Sequence, residues 1–87
     1  SGLKALQYMA IGIPVVATDI GTSKDIISHM ESGCLVSTKE DWVSTLKQLI
    51  DDNRLRERIG KNARKVVLER YSLNAIKKKY FEVLDSI

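Results

Sequence analysis

The 87-residue chain has little of the chemistry that staples or metallates small proteins: one cysteine (Cys34), one histidine (His29), one proline and 6% aromatic residues. A lone cysteine excludes an internal disulfide, and no cluster of Cys and His offers metal-ligand spacing. That pattern fits a reducing compartment, so a cytoplasmic location is expected. The apolar runs are a few residues long, well short of the roughly 18 to 20 that span a bilayer. No charged-then-apolar leader opens the chain, and a soluble protein is the expectation. His29 stands beside Glu31 without the Ser, Cys or Asp arrangement that would make it a catalytic base, and it reads as decoration on a polar helix face. Cys34 reads as a core strand residue rather than a nucleophile.

What is present is the composition of a single globular unit, 44% hydrophobic and 29% charged. One domain at most is expected, and a chain of this size buries only about 60 to 65% of its unfolded surface. The formal charge is +3, with the basic residues concentrated after Asn53. Lys and Arg alternate there with Glu and Asp, without the dense basic stripe and exposed aromatics of a nucleic-acid binder, so no nucleic-acid partner is expected.

Leu3, Leu6, Met9 and Ala10 recur at helical spacing up to Gly12, placed to end that helix, and Pro14 forbids its continuation. Ile13-Pro14-Val15-Val16-Ala17 then reads as a β-branched strand covered on both faces, with Pro14 at its first position. Ser23 is expected to cap a short helix with apolar positions Ile26, Ile27 and Met30, closed by Gly33; Asp25 orients the loop or serves in the cap. A second strand, Cys34-Leu35-Val36, follows. From Ser37 the pattern is helical: Thr38 and Asp41 form a capping arrangement, and Trp42, Val43, Leu46, Leu49 and Ile50 make an apolar stripe in which Trp42 is a packing anchor. Asn53 is read as the cap of the next helix, with Leu55, Ile59, Ala63, Val66 and Val67 on one face. Ser72 is read as the cap of the last, with Leu73, Ile76, Tyr80, Val83, Leu84 and Ile87 on one face and Lys77, Lys78, Lys79, Glu82 and Asp85 on the other. The fold class is α/β: part of a Rossmann-like parallel sheet of two short strands, followed by three C-terminal helices. Parallel strands normally sit in larger sheets, so residues 1–87 are expected to be one portion of a longer chain's domain.

The stretch from Gly2-Leu3-Lys4-Ala5-Leu6-Gln7-Tyr8-Met9-Ala10 through Gly12-Ile13-Pro14-Val15-Val16-Ala17-Thr18 resembles the group 1 (family four) retaining glycosyltransferases. The resemblance continues from Gly21 to Val36 and through Asn62-Ala63-Arg64 and Tyr71-Ser72, covering nearly the whole chain. It implies the GT-B arrangement of two facing Rossmann-like domains, this chain matching the later part of the C-terminal, sugar-nucleotide-binding one. It implies transfer of a sugar, with retention, from a nucleotide-diphosphate donor to an acceptor hydroxyl. No cofactor or metal is implied beyond the donor substrate. The family's paired-glutamate motif puts its second Glu where Gln7 stands and its first two positions before Ser1. The resemblance thus assigns no catalytic residue here, and the isolated chain is expected to be inactive.

Apart from the family, Gly2 and Leu3 present free N–H groups at a helix N-terminus, which favours a diphosphate. Lys4 adds a cation there or points to solvent. The resemblance makes Gln7 a ribose ligand; as a neutral acceptor it gives up on the order of 1 kcal/mol relative to Glu. Gly21 and Thr22, with Ser23, follow a strand's C-terminal end, where ligands bind in open α/β sheets, and offer loop contacts or form an ordinary turn. Gly12 to Thr18 carries recognition of the family and a structural role. Lys77-Lys78-Lys79 beside Arg70 is a solvated face or a peripheral contact with anionic lipid on the inner face of a membrane. The rival class is an inactive binding module, whose exposed sheet edge and apolar faces take a partner or a second copy.

Overall fold

The computed structural model describes residues 2–71 and 73–85. The order is α1 (Gly2–Ala10), β1 (Val16–Thr18), α2 (Gly21–Ile26), β2 (Cys34–Val36), α3 (Lys39–Asp51), α4 (Asn53–Arg70) and α5 (Leu73–Asp85). The two strands pair in parallel, Val16 with Cys34, Ala17 with Leu35 and Thr18 with Val36. A mixed α/β architecture with a parallel pair and three following helices is thus the observed one.

Both faces of the pair are covered, as its continuous apolar sequence requires. Ala17 and Leu35 pack toward a cluster of Leu6, Met9, Ile26, Ile27, Ala63, Val67 and Ile76, which joins α1, α2, α4 and α5. Val16 and Cys34 belong to a second cluster with Leu49 and Ile59 from α3 and α4. Met9, Ile59, Ala63, Val67 and Cys34 lose all contact with solvent. Cys34 is therefore the core residue its strand position predicts, and burial pushes its thiol pKa up.

The helix ends correct several expectations. β1 starts at Val16, not Ile13, because the chain is still unwinding from α1: the Ile13 N–H donates back to the Tyr8 carbonyl, and Gly12 takes a left-handed φ of 76°. Pro14 precedes the strand instead of opening it. α2 begins at Gly21, two residues before the expected Ser23 cap, with Ile20 as an N-cap that offers no side-chain acceptor. Ser23 lies inside the first turn, and Asp25 is too far along the helix to cap it. α2 stops at Ile26, so Ile27 and Met30 lie beyond it, Met30 at a φ of 64°. Gly33 closes no helix; it forms a bridge opposite His29, and a Cβ there would press on Ile27 and on the Val15 carbonyl.

Thr38 and Asp41 do form a capping box at α3. For α4 the cap is Asp52, whose carboxylate accepts from the Leu55 N–H at 3.0 Å, while Asn53 is already helical. The apolar stripe on α3 is only partly used: Leu49 and Thr45 are buried, Trp42 is half-buried, and Val43, Leu46 and Ile50 face outward, Ile50 at 73% exposure. On α5 Ile76 is buried, whereas Tyr80, Phe81, Val83 and Leu84 are exposed. The expectations at Ser72 and Ile87 lie outside the described residues.

Candidate functional site

α1 runs back over the sheet, so its N-terminus arrives where β1 delivers its C-terminal end. The meeting point is tight: a Cβ on Gly2 would overlap the Thr22 methyl and press on the Ile26 side chain. A side chain at residue 2 would oblige Thr22 and Ile26 to take other rotamers, and glycine lets α1 and α2 meet without that shift. The structure thereby brings Gly2, Leu3 and Lys4, at the start of α1, against Gly21 and Thr22, at the start of α2. Two segments some twenty residues apart become neighbours. Gly21 has a φ of 44° and nothing within contact distance of a Cβ, so backbone conformation rather than space favours glycine there.

Lys4 and Tyr8, one turn apart on α1, line a groove of about 540 Å³ beside β1, together with Ile13, Thr18, Ile20 and Ser23. Lys4 thus has a groove to face, and its side chain is exposed. Gln7 is also exposed but does not line this groove, because a step of one residue turns it about 100° from Tyr8 around the helix. Thr18 and Tyr8 join Lys4 here without having been singled out by sequence, and Ser23, expected as a cap or loop contact, joins them. The i, i+4 spacing of Lys4 and Tyr8 was a usable signal, whereas the contribution of Thr18 and Ser23 depends on where β1 ends.

His29 is not on a helix face. Its Nδ1 accepts a hydrogen bond from the Leu35 N–H at 2.9 Å, on the side of β2 that points away from β1. The imidazole completes the strand's outer edge, which is a structural task. With Met30, Asp41, Ser44 and Gln48 it borders a cavity of about 380 Å³. Asp41 accepts from the Ser37 and Thr38 N–H groups, which hold its carboxyl below the usual carboxylate range. Among the described residues no group of three or more His, Cys, Asp or Glu is placed to hold a metal ion. No described helix is long and apolar enough to cross a membrane.

The elements around this site are held from behind by α4. Arg64 Nη1 donates to the Ala10 carbonyl at 2.7 Å, Asn62 Nδ2 donates to the Glu31 carbonyl at 3.0 Å, and Gly60 lies against Gly12.

Residues 1–66 match the family model of glycosyl transferases group 1. Among curated proteins, the chain is 42% identical over 64 residues to a D-inositol 3-phosphate glycosyltransferase of Paenarthrobacter aurescens, covering 71% of this chain and 16% of that protein. It is 37% identical over 84 residues to an uncharacterized glycosyltransferase of Methanocaldococcus jannaschii, covering 94% and 22%. The chain therefore spans about a fifth or less of the length of these relatives. Among solved structures, the C-terminal domain of a glycosyl transferase group 1 family protein from Francisella tularensis superposes with a TM-score of 0.74 at 36% identity, over 83% of this chain and 38% of that one. The Anabaena protein HepE, solved with UDP and with UDP-glucose, superposes with a TM-score of 0.76 at 23% identity, over 97% and 24%.

Proposed function

The chain belongs to the group 1 glycosyl transferases, and from that premise we propose that it is the later part of a donor-binding domain that moves a sugar from a nucleotide-diphosphate donor to an acceptor hydroxyl with retention. The observation that carries the proposal is the seating of Gly2 against Thr22 at the C-terminal end of β1. In open α/β folds this is the end of the sheet where ligands bind. The first-turn N–H groups of α1 have no intrahelical partners, and the macrodipole of a nine-residue helix adds partial positive charge at this end. Lys4 supplies a full charge within the same turn. In this reading Gly2, Leu3 and Lys4 hold the diphosphate, Gln7 accepts from the ribose, and Gly21 and Thr22 close the site from α2. The UDP bound by HepE fits such a role for a domain of this fold.

Catalysis requires the acceptor domain and the first glutamate of the family's pair, so residues 1–87 alone bind donor without turning it over. Calorimetric titration of the protein with UDP, GDP, ADP and TDP tests the reading. At least one diphosphate should bind more tightly than its nucleoside, and Lys4→Ala should reduce that preference. Equal affinity for nucleoside and diphosphate across the panel would sink the assignment. Retention is read separately on the full chain, by whether the new glycosidic bond keeps the anomeric configuration of the donor.

One observation favours a second reading alongside the first. The outward Val43, Leu46 and Ile50 on α3 and the exposed Tyr80, Phe81 and Leu84 on α5 leave apolar area in water. A partner domain or a second copy that covers them makes the chain an associating module. Light scattering on the purified chain decides: a monomer at high concentration counts against self-association.

A further inference from the structure

We infer that Arg64 and Asn62 of α4 are positioning residues for the donor-diphosphate site, an inference that rests on the function proposed above. One short stretch of α4 holds the last residue of α1 and the loop five residues beyond the end of α2. Arg64 binds the carbonyl of Ala10, the last residue of α1. Asn62 binds the carbonyl of Glu31, in the loop that leaves α2. Two residues before Asn62, Gly60 abuts Gly12 at the turn from α1 into β1. Neither polar side chain contacts Gly2 or Thr22 by hydrogen bond, yet one holds the end of α1 and the other holds the loop that follows α2.

The geometry matters because α1 is a short rod, about 14 Å long at 1.5 Å per residue. Shifting one end of it shifts the other. Its first-turn N–H groups can share two phosphates only if α1 keeps its seat against α2, and small displacements of a binding group cost affinity steeply. Arg64 has an electrostatic role as well. A guanidinium at the C-terminal carbonyls interacts favourably with the negative pole of the helix dipole, so its charge strengthens the hold on that end of α1. Asn62 carries no charge, so its role is purely geometric. The two substitutions should therefore differ in salt dependence.

The experiment uses the full chain and the diphosphate and nucleoside pair that binds best among UDP, GDP, ADP and TDP. Arg64→Ala should weaken the diphosphate about fivefold, as α1 loses its seat, while the nucleoside changes less than about twofold. Arg64→Lys, which keeps the charge, should recover part of the loss. Asn62→Ala should weaken the diphosphate too, by an amount that added salt leaves unchanged. Asp52→Ala is the control for stability: it removes the α4 N-cap, lowers the melting temperature and should leave diphosphate affinity as it was. In amide NMR spectra of Arg64→Ala, the Leu3 and Thr22 signals should move even without ligand. Unchanged diphosphate affinity in the folded Arg64→Ala variant, or an equal loss in Asp52→Ala, overturns the inference. If the unsubstituted protein itself shows no preference for diphosphate over nucleoside, the donor-site reading fails first and the positioning role falls with it.

Discussion

Gly60 and Gly12 meet backbone to backbone: a Cβ on residue 60 would clash with the carbonyl oxygen of Gly12. This contact lets α4 lie against the turn that carries the chain from α1 into β1, and so sets the depth at which α1 is seated. The two glycines are needed for different reasons. Gly12 has a φ of 76° with only ordinary contacts around its missing Cβ, whereas Gly60 sits in a regular helix and lacks space.

Gly60→Ala should accordingly be the more damaging substitution, although alanine is the better helix former by about 1 kcal/mol. The obstruction is backbone, which cannot rotate away, and overpacking of this kind costs about 1 to 3 kcal/mol. Net destabilisation in urea unfolding is expected for Gly60→Ala. A stabilised Gly60→Ala variant would mean that α4 shifts freely over the turn and that the contact does not fix α1.

The Thr38–Asp41 box gives a prediction with a pH sign. Thr38→Ala removes the acceptor for the Asp41 N–H and should lower stability by about 1 kcal/mol. Asp41 holds its proton less readily in the folded chain than in the unfolded one, because the Ser37 and Thr38 N–H groups favour its charged form. Its contribution is therefore present above the ordinary carboxylate range and lost as pH falls through the lowered folded value. Asp41→Asn should flatten that acid limb of the stability curve. An acid limb identical in the two proteins would show that the charge at position 41 is not linked to folding.

The elements whose signal is local were legible in the sequence. Helix α1 and its Gly12 stop, the paired strands, Cys34 in the core and the Thr38–Asp41 cap follow from spacing and cap chemistry over a few residues. What was not legible depends on contacts across the chain. Ser23 has ideal cap chemistry, but α2 starts earlier because Gly21 bends the backbone at the end of β1. Asp52 and Asn53 are adjacent and equally able to cap, and sequence cannot choose between them. The need for glycine at position 60 comes from the Gly12 backbone, 48 residues earlier, and Gly2 and Gly33 meet Thr22 and the Val15 carbonyl, 20 and 18 residues away. At the candidate site the run Gly2-Leu3-Lys4 was legible; that Tyr8, Thr18 and Ser23 share a groove with Lys4 was not, because it requires α1 to fold back along β1.

His29 supports β2 by accepting from the Leu35 N–H, a partner six residues away that an alanine cannot replace. His29→Ala should expose the outer edge of β2 and speed hydrogen exchange at the Leu35 amide. The loss of one such bond is worth about 1 kcal/mol. His29→Asn retains an acceptor oxygen on a shorter side chain and should restore part of the protection. If Leu35 exchanges equally slowly in the alanine variant, the imidazole is decoration after all.

Gln7 offers the sharpest gain-of-function test, since it is exposed on the helix that carries the proposed phosphate contacts. A carboxylate accepts hydrogen bonds from ribose hydroxyls more strongly than an amide does, about 1.5 to 3 kcal/mol for a charged partner against 0.5 to 1.5 for a neutral one. Gln7→Glu should therefore tighten binding of a nucleoside diphosphate several-fold, corresponding to about 1 kcal/mol. The gain should vanish for the 2′,3′-dideoxy nucleotide, which has no hydroxyls to donate. A negative charge added near a diphosphate also repels it, so the sign of the change is informative. Tighter binding that depends on the ribose hydroxyls places residue 7 beside the sugar, whereas weaker binding of both nucleotides alike would place it beside the phosphates and remove it from the ribose role.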